Sequence, residues 1–326
     1  MSPEFELIAK YFTRPVKNAT LGVGDDCALI TVSPGNELAI STDTLVSGTH
    51  FFPNADPEKL GHKALAVNLS DLAAMGALPR YVTLALTLPS IDAHWLAAFS
   101  RGFFSLADEA EVELIGGDTT RGPLAITLTT MGEVAAGQAL RRSGAKAGDD
   151  IWVSGTLGGA ALALKHLQGE VALGDDLFER AALLLDKPTP RIALGRALIG
   201  VATSAIDISD GLVADLTHIC ERSMLSAEII WHEIPIFSGL LSVAELQRVD
   251  YALAGGDDYE LCFTAPAIMR DKLLRISADS GLILTRIGSM HAGHPRVRVC
   301  DALGGTMNVR SAGFDHFAST VQPIIK

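Results

Sequence analysis

Five segments of the chain share one pattern, in which an apolar run ends in a small residue followed by aspartate. A small residue lets the backbone approach a ligand closely, and carboxylate oxygens are the ligands that hard cations such as Mg²⁺ prefer. One Gly-Asp step is common turn chemistry, but five segments, together with Asp71 inside an apolar stretch, predict a site that gathers several metal ions. The segments are Leu21-Gly-Val-Gly-Asp25-Asp26-Cys-Ala-Leu29, Leu38-Ala-Ile-Ser-Thr-Asp43-Thr44, Leu114-Ile-Gly-Gly-Asp118-Thr-Thr-Arg121, Ala205-Ile-Asp207-Ile-Ser-Asp210-Gly211 and Leu253-Ala-Gly-Gly-Asp257-Asp258-Tyr259.

The ligand chemistry of these segments narrows the possible reactions. Oxygen-only ligands favour Mg²⁺, which typically arrives with a nucleotide. A magnesium-dependent phosphoryl transferase and a two-metal hydrolase of phosphate esters both fit, because both neutralise charge on phosphoryl oxygens. Hydrolases often recruit histidine, and the nearest histidine, His50, follows Asp43 by seven residues. A metal-binding or nucleotide-sensing module without catalysis is a third alternative.

Composition and length limit the class of protein. At 326 residues the chain exceeds the size of a typical single core, so two domains are expected. The formal net charge of -12 argues against binding to nucleic acid or to an anionic membrane. The four cysteines lack metal-site spacing, and acids stand near the first residue where a signal peptide carries bases. We therefore expect a cytoplasmic protein with no nucleic-acid or membrane partner.

The first half of the chain has strand patterns interspersed with helix patterns, which predicts an α+β arrangement. Strands at 27–32 and 37–41, joined by a turn, would form a hairpin flanked by Asp26 and Asp43. Asp56 and Pro57 predict the start of a helix that runs to Gly76. In that helix Asn68 and Asp71 are three residues apart and share a face. Helices are also predicted at 4–12 and 92–108, and strands at 81–88, 111–116 and 123–134, the second of which would deliver Asp118 at its end.

A polar, glycine-bearing segment at 141–150 marks the predicted domain boundary, so we divide the chain into 1–143 and 144–326. In the second part a strand through Ile206 delivers Asp207, Ser209 and Asp210, and Asp210 is expected to cap the next helix. The segment Gly155-Thr-Leu-Gly-Gly159 matches no phosphate-loop signature, which favours a plain strand-to-helix turn. Strands at 150–154, 259–264, 283–288 and 296–300, with helices at 175–186, 190–200, 210–222 and 266–280, predict a second α/β domain.

Seven motifs, in order and at compatible spacing from about residue 5 to about residue 317, resemble the thiamine-monophosphate kinase family. That family belongs with aminoimidazole ribonucleotide synthetase and selenophosphate synthetase, which are the alternatives within the same superfamily. A reactive cysteine would favour selenophosphate synthetase, but Cys27 follows Asp25-Asp26 as in the thiamine kinases. The motifs are Leu21-Gly-Val-Gly-Asp-Asp-Cys-Ala28, Ile40-Ser-Thr-Asp-Thr-Leu-Val46, Ala66-Val-Asn-Leu-Ser-Asp-Leu-Ala-Ala-Met-Gly-Ala77, Leu114-Ile-Gly-Gly-Asp-Thr-Thr-Arg-Gly122, Arg142-Ser-Gly-Ala145, Ala205-Ile-Asp-Ile-Ser-Asp-Gly-Leu212 and Gly255-Gly-Asp-Asp-Tyr-Glu-Leu261.

The resemblance implies roles for individual residues. The residues that would coordinate several Mg²⁺ ions are Asp26, Ser41, Thr42, Asp43, Asp71, Asp118, Asp207 and Asp210, with Asp25 ranked below Asp26. Those that would contact ATP are Gly117, Asp118, Arg142 and Ser209, and those that would meet thiamine monophosphate are His50, Asp257 and Phe314. Asp43, Asp71, Asp118 and Arg142 would be catalytic. The family often has glutamate at position 257, and tyrosine or tryptophan also occurs at position 314.

The resemblance also implies an activity and a fold. The family transfers the γ-phosphoryl group of ATP to thiamine monophosphate, which yields thiamine diphosphate. Its fold pairs a metal- and ATP-binding α+β domain, which dimerises through its strands, with an α/β domain that completes the active-site cleft, so a homodimer is expected. The acceptor is a phosphate, largely a dianion at neutral pH, so we predict direct in-line transfer without a general base.

Overall fold

The computed structural model describes residues 3–307 and 309, and its secondary structure follows the α+β expectation. The described residues fall into two compact units. The first comprises 3–72 and 77–137, and the second comprises 73–76 together with 138–307 and 309. In the described part of the chain, no helix is long and apolar enough to cross a membrane.

The first unit is built on a four-stranded mixed sheet in the order β1-β4-β2-β3. The pairs β1/β4 and β4/β2 are antiparallel, whereas β2/β3 is parallel. Parallel strands need a crossover, and the helix between β2 and β3 provides it. The elements are α1 (Pro3–Tyr11), β1 (Asn36–Val46), α2 (Pro57–Ala74), β2 (Leu78–Leu88), α3 (Ala93–Glu109), β3 (Glu113–Arg121) and β4 (Ala125–Ala135).

Helices α2 and α3 approach closely because glycine stands at their contact. A Cβ atom added at Gly61 would lie 2.1 Å from the Phe99 carbonyl oxygen, and one at Gly102 would lie 1.7 Å from that of Glu58. The Asp56 carboxylate accepts the amides of the first turn of α2, as the sequence predicted. Alternating buried residues of β2 and β4, such as Leu86 and Ile126, form the apolar face of the sheet. The helix that carries Asp71, α2, is thus packed closely against α3.

The second unit contains a six-stranded sheet in the order β10-β7-β9-β5-β8-β6, in which only β7 and β10 are parallel. Both faces are covered, because Val153 of β5 packs in the core cluster that contains Leu216 of α7, while Trp152 stacks on Phe263 at 6.5 Å in the other cluster. The elements are β5 (Asp150–Ser154), α4 (Gly159–Leu167), α5 (Asp175–Asp186), α6 (Ile192–Ala197), β6 (Ser204–Asp207), α7 (Leu212–Ser223), β7 (Ser226–Ile230), α8 (Glu245–Ala254), β8 (Leu261–Ala265), α9 (Arg270–Ser280), β9 (Leu284–His291) and β10 (Arg296–Cys300), with short 3₁₀ helices at Trp231–Glu233, Ser238–Ser242 and Ala267–Met269.

Three expectations about local structure are wrong. The segment 27–32 forms no strand, and its Leu29 makes only an isolated bridge to Leu21, so the predicted hairpin does not exist. Strand β1 is longer than expected and carries Asp43 within it. Strand β3 likewise continues to Arg121, so Asp118 lies inside the strand rather than after it. The sequence analysis also missed β7, which is only five residues long, and α8, which is ten residues long.

Candidate functional site

In the first unit, two hydrogen bonds join β1 to α2 beside the predicted ligands. The Ser41 hydroxyl donates a hydrogen bond to the Asp71 carboxylate. One turn earlier on α2, the Asn68 side-chain oxygen accepts the backbone amide of Asp43 at 3.2 Å. Ser41 and Asp43 are two residues apart in a strand, so they share the sheet face that α2 covers. The prediction that Asn68 and Asp71 share a face is confirmed, and that face meets β1.

Asn68 is fully buried and anchors this group. Its side-chain amide donates to the Ala64 carbonyl oxygen at 3.0 Å, which leaves the oxygen directed at the Asp43 amide. Its own carbonyl oxygen accepts the Thr130 hydroxyl at 3.3 Å. Asn68 thus ties α2 to both β1 and β4, and it fixes the backbone that presents the Asp43 side chain.

Asp118 stands on the opposite edge strand from Asp43. It is exposed and in register with Ala85, which pairs with Thr127, which in turn pairs with Thr44. Three strand spacings of about 4.8 Å therefore put Asp118 roughly 14 Å from the neighbour of Asp43 in β1. Asp43 and Asp118 lie in separate parts of one sheet.

Gly117 is required by the close approach of β3 to β2. Its φ is +150°, and a Cβ atom there would lie 1.9 Å from the Leu84 carbonyl oxygen. A side chain at this position would push the strand that carries Asp118 away from β2. The position of the Asp118 backbone therefore depends on glycine before it.

Thr42 points away from Ser41 and Asp43. Its hydroxyl lies 2.9 Å from that of Thr129, and Thr44 makes the equivalent pair with Thr127 at 2.9 Å. These threonines lie on the sheet face opposite to α2. The hydroxyl of Thr42 is therefore not part of the Ser41–Asp71 group.

Asp26 lies in an exposed loop, where its amide donates to the Asp25 carboxylate at 2.8 Å. The start of that loop is tied to β3 by Glu113, whose carboxylate accepts the amides of Lys17, Asn18 and Ala19 at 2.7–3.1 Å. Burial alone would raise the pKa of Glu113, but these amides outweigh it and lower that pKa.

His50 lies in the turn after β1, and its ring is bound to the backbone of that turn. The Val46 amide donates to the His50 Nδ1 atom at 3.0 Å, and the His50 amide donates to the Val46 carbonyl oxygen at 2.9 Å. An Nδ1 atom that accepts an N–H carries no proton, so in the neutral ring the proton resides on Nε2. His50 can therefore offer an N–H donor beyond this turn, and it cannot accept a proton at Nε2 without first losing one.

In the second unit, Ser209 and Asp210 lie in the loop between β6 and α7, directly after the buried Asp207. The expectation that Asp210 caps α7 is wrong, because the N-cap residue is Gly211 and no side chain caps the helix there. Instead, one carboxylate oxygen of Asp215 accepts the amides of Ser209, Asp210 and Gly211 at 3.0–3.1 Å. Burial, with the charge of Asp210, raises the pKa of Asp215 to about 7, against the lowering effect of these amides.

The loop that carries Asp257 is paired with the loop that carries Ser209. The amide of Asp257 donates to the Ser209 carbonyl oxygen, and that of Tyr259 to the Ile208 carbonyl oxygen, both at 2.8 Å. The amide of Ile208 donates in return to the Glu260 carbonyl oxygen at 2.8 Å. Ser209, which is predicted to contact ATP, and Asp257, which is predicted to contact the acceptor, are therefore joined by a backbone hydrogen bond.

Two further acids fix the turn before α4 to the Asp257 loop. The Asp258 carboxylate accepts the Gly158 amide at 2.9 Å, and burial raises the pKa of Asp258 well above its ordinary value. Glu260 is buried, accepts the Ser154 hydroxyl at 2.5 Å and forms a two-pronged ion pair with Arg191. The segment at Gly155–Gly159 is thus a strand-to-helix turn held by carboxylates, as the sequence favoured.

Arg142 and Phe314 are the predicted residues that remain to be placed. Arg142 is exposed, and its carbonyl oxygen accepts the Ser223 hydroxyl at 3.2 Å. Phe314 lies outside the described residues. Within 3–307 and 309, no group of three or more histidine, cysteine, aspartate or glutamate side chains could by itself hold a metal ion. The metal, nucleotide and substrate roles of the predicted residues stay predictions.

Sequence reasoning missed the residues that support the loops. Asp258 and Glu260 stand inside a motif in which no role was given to them, whereas Asp215 and Arg191 lie outside every motif. Asp215 in the first turn of a helix has the sequence signature of a favourable dipole contact. A carboxylate at that position, preceded by Asp-Gly, was the only signal that could have found it.

Comparisons with known proteins place the chain in a family. Residues 24–134 match the family model "AIR synthase related protein, N-terminal domain", and residues 146–300 match "AIR synthase related protein, C-terminal domain". The chain is 47% identical to the thiamine-monophosphate kinase of Salmonella typhimurium, over 97% of this chain and 98% of that protein. The chain belongs to the thiamine-monophosphate kinase family. This confirms the resemblance seen in the seven motifs.

Solved structures of the thiamine-monophosphate kinase family agree with this assignment and confirm the predicted fold class. The enzyme from Stenotrophomonas maltophilia K279a is 47% identical, with a TM-score of 0.83 over 90% of this chain and 94% of that chain. AaThiL complexed with AMPPCP and TMP is 30% identical, with a TM-score of 0.77 over 88% of this chain and 89% of that chain. The candidate residues from Asp26 to Asp118 and from Asp207 to Asp257 lie within the two matched ranges, whereas Arg142 and Phe314 lie outside them.

Proposed function

We propose that the chain catalyses ATP-dependent phosphorylation of thiamine monophosphate to thiamine diphosphate, the activity for which its relatives are named. The observation that carries the proposal is the group on β1 and α2, in which Ser41 is bonded to Asp71 and Asn68 to the Asp43 backbone. AaThiL, which was solved with AMPPCP, an ATP analogue, and with TMP, supports both substrates.

We propose that Mg²⁺ ions serve the reaction. The donor set of the first unit fits this ion, because Ser41, Asp43 and Asp71 offer oxygen atoms only, and Mg²⁺ takes one or two carboxylates while keeping several waters. The other proposed ligands are Asp26, Thr42 and Asp118 of the first unit and, separately, Asp207 and Asp210 of the second. When bound, Mg²⁺ neutralises charge that develops on the phosphoryl oxygens.

The proposed roles of the other residues follow from their chemistry. Gly117, Arg142 and Ser209, with Asp118, bind ATP, and the exposed guanidinium of Arg142 adds positive charge beside the phosphates. His50, Asp257 and Phe314 bind thiamine monophosphate, whose ring system is cationic and therefore suits a carboxylate. The transfer is direct and in line, since the acceptor phosphate has a second pKa near 6 and needs no base at neutral pH. The His50 ring supports this, because its Nδ1 atom is occupied by the Val46 amide and its Nε2 atom is a donor.

A coupled assay for ADP release tests the activity against its relatives. With ATP and Mg²⁺, thiamine monophosphate should give stoichiometric ADP and thiamine diphosphate, whereas an aminoimidazole precursor or selenide should give none. Release of phosphate from ATP without an acceptor product would favour a hydrolase. Nucleotide binding without turnover of any of the three acceptors would favour a sensing module.

We propose that the enzyme is a homodimer that works in the cytoplasm, where reducing conditions keep its four free thiols reduced. The dimer would form through the face of the four-stranded sheet opposite to α2, where Ile40 is 61% exposed and Thr42, Thr44 and Ala85 are also exposed. Within one sheet Asp118 aligns with Thr44, on the face and the edge opposite to those of Asp43, so a shared site would take its Asp118 from the second copy.

Mixing two inactive variants tests the dimer. Asp43→Asn and Asp118→Asn chains, unfolded together and refolded, should recover activity up to about a quarter of the wild-type value if each site takes one residue from each copy. Sedimentation should give twice the chain mass. A monomer, or a mixture with no recovered activity, would contradict the shared site.

A further inference from the structure

The turn that carries Asp257 has an unusual backbone. Three of its four residues from 256 to 259 have positive φ: Gly256 at +68°, Asp257 at +60° and Tyr259 at +49°. Glycine tolerates this region, but a β-carbon makes it unfavourable for aspartate and more so for tyrosine. Such conformations persist only where surrounding contacts impose them, and they concentrate at functional sites.

Several contacts impose this backbone. The Asp257 and Tyr259 amides are bonded to the carbonyl oxygens of Ser209 and Ile208, each at 2.8 Å. Between them, the Asp258 side chain turns the other way and accepts the Gly158 amide. The alternation sends the side chains of Asp257 and Tyr259 to meet each other.

The meeting is a hydrogen bond. The Tyr259 hydroxyl donates to the Asp257 Oδ1 atom at 3.0 Å. Tyr259 is 8% exposed, so its ring is fixed by packing, whereas Asp257 keeps a partly exposed side chain. A fixed donor thus holds one oxygen of this carboxylate in place.

We propose that Tyr259 is a positioning residue for the acceptor substrate: its hydroxyl holds the Asp257 carboxylate toward the cationic ring system of thiamine monophosphate. This proposal rests on the role given to Asp257 in the proposed function. The side chain of aspartate is shorter than that of glutamate. A substrate cation at a fixed distance is therefore bound most strongly when this short carboxylate cannot rotate away from it. The strained turn places the hydroxyl where the neighbouring carboxylate needs it, and Tyr259 itself touches no substrate.

A kinetic double-mutant cycle tests this role, with Asp257→Ala, Tyr259→Phe and the double variant. Tyr259→Phe keeps the buried ring and removes only the hydroxyl. It should raise the KM for thiamine monophosphate roughly 3- to 10-fold and leave the KM for ATP unchanged. In the Asp257→Ala background the same change should have no further effect. Tyr251→Phe, which removes the hydroxyl of a buried tyrosine on α8 of the same unit, is the matched control and should change neither KM.

The possible results distinguish the positioning role of Tyr259 from the acceptor-binding role of Asp257 on which it rests. If Asp257→Ala leaves the KM for thiamine monophosphate unchanged, the acceptor role of Asp257 is wrong. If Asp257→Ala raises that KM but Tyr259→Phe does not, Tyr259 does not position Asp257. Equal effects of Tyr259→Phe in both backgrounds would mean that its hydroxyl meets the substrate directly. Equal rises in both KM values would mean that its loss disturbs the paired Ser209 loop, and the positioning role would fall.

Discussion

The two units hold their predicted ligands in different ways. In the first unit Ser41 and Asp43 lie within β1, and Asp71 lies within α2, so regular elements set their positions. In the second unit Ser209, Asp210 and Asp257 lie on irregular loops. Those loops take their shape from buried carboxylates that accept backbone amides, chiefly Asp215 and Asp258.

The difference teaches where a substitution should act. A ligand on a strand or helix can lose its charge while the hydrogen bonds of the element keep the backbone in place. A loop held by a few acids depends on residues outside the predicted ligand set. In the second unit we therefore expect the residues that act in the reaction and the residues that hold the loops to be different. In the first unit we expect the same strands and helix to do both.

Removal of charge from the first unit should have the largest effect. Asp43→Asn and Asp118→Asn should each lower kcat about a thousandfold, because they remove a proposed metal ligand without removing volume. The free energy of unfolding should change by less than about 1 kcal/mol, since the elements remain. Steady-state kinetics and urea unfolding measure the two quantities. Asp108→Asn, an exposed acid on α3 bonded to Arg14, is the control. Near-normal turnover in either variant would end its metal-ligand assignment.

Asp257→Ala should have the next largest effect and should be selective. Loss of a charge-assisted contact of about 1.5 to 3 kcal/mol corresponds to a rise of roughly 10- to 150-fold in the KM for thiamine monophosphate. The KM for ATP should change much less, because the carboxylate meets one substrate only. Initial rates at varied concentrations of each substrate give both values. Equal rises would move Asp257 to the nucleotide or to a shared metal, and Asp279→Ala on α9 controls for charge.

The pH dependence of the rate should show whether the ionising group that controls it belongs to the acceptor substrate or to one of the two units of the enzyme. The value of kcat/KM for the acceptor should rise up to about tenfold per pH unit below about pH 6, and then level off as the acceptor becomes a dianion. Acceptor analogues with shifted phosphate pKa values should shift this limb. If the rise in kcat/KM occurs at the same pH with every analogue and is lost in His50→Gln, His50 acts as a base. If the rise occurs at the same pH with every analogue and is lost in Asp215→Asn, the ionising group belongs to the second unit.

Asp215 should make stability depend on pH, with the smallest of these effects. Its folded-state pKa of about 7 exceeds the ordinary value of 3.8, so between these values the folded state holds a proton that the unfolded state has lost. The contribution of this group to the free energy of unfolding is therefore greatest at low pH. It falls by at most about 1.4 kcal/mol per unit as pH rises toward 7, and is constant above.

Asp215→Asn removes this titration and keeps an acceptor for the amides. Urea unfolding in EDTA at several pH values should show the wild type losing stability relative to the variant from about pH 5 to pH 7. Parallel curves for the two proteins would show that Asp215 is charged in the folded state. The loop before α7 would then be held by a charged acid rather than by a neutral one.

The predictable parts of the molecule were those with strong local signals. Asp56 with Pro57 and the periodicity of α2 located that helix, and its period placed Asn68 and Asp71 on one face. The pairing of β1 with β4 and the length of β3 could not be predicted, because register depends on contacts far apart in sequence. The strand expected at 27–32 failed for the same reason, since its apolar residues pack beside Tyr81 and Ile115 without extended pairing.

The site residues divide in the same way. Aspartates after small residues were visible as a repeated pattern, and the motifs identified the family. The hydrogen bond from Tyr259 to Asp257 and the amides collected by Asp215 were not visible, because positive φ and buried acceptors leave no periodic trace. Sequence thus proposed the candidate ligands, whereas the structure was needed to find the residues that hold their loops.

The distribution of thiols offers a practical route to observe metal binding. Cys27 is exposed next to Asp26, whereas Cys220, Cys262 and Cys300 are buried, and burial raises the pKa of each of these three. Alkylating reagents attack thiolates on accessible sulfur atoms. A maleimide dye should therefore label the native enzyme at a single position without any cysteine being removed, and its fluorescence would test the proposed cation binding at the Asp26 loop in real time.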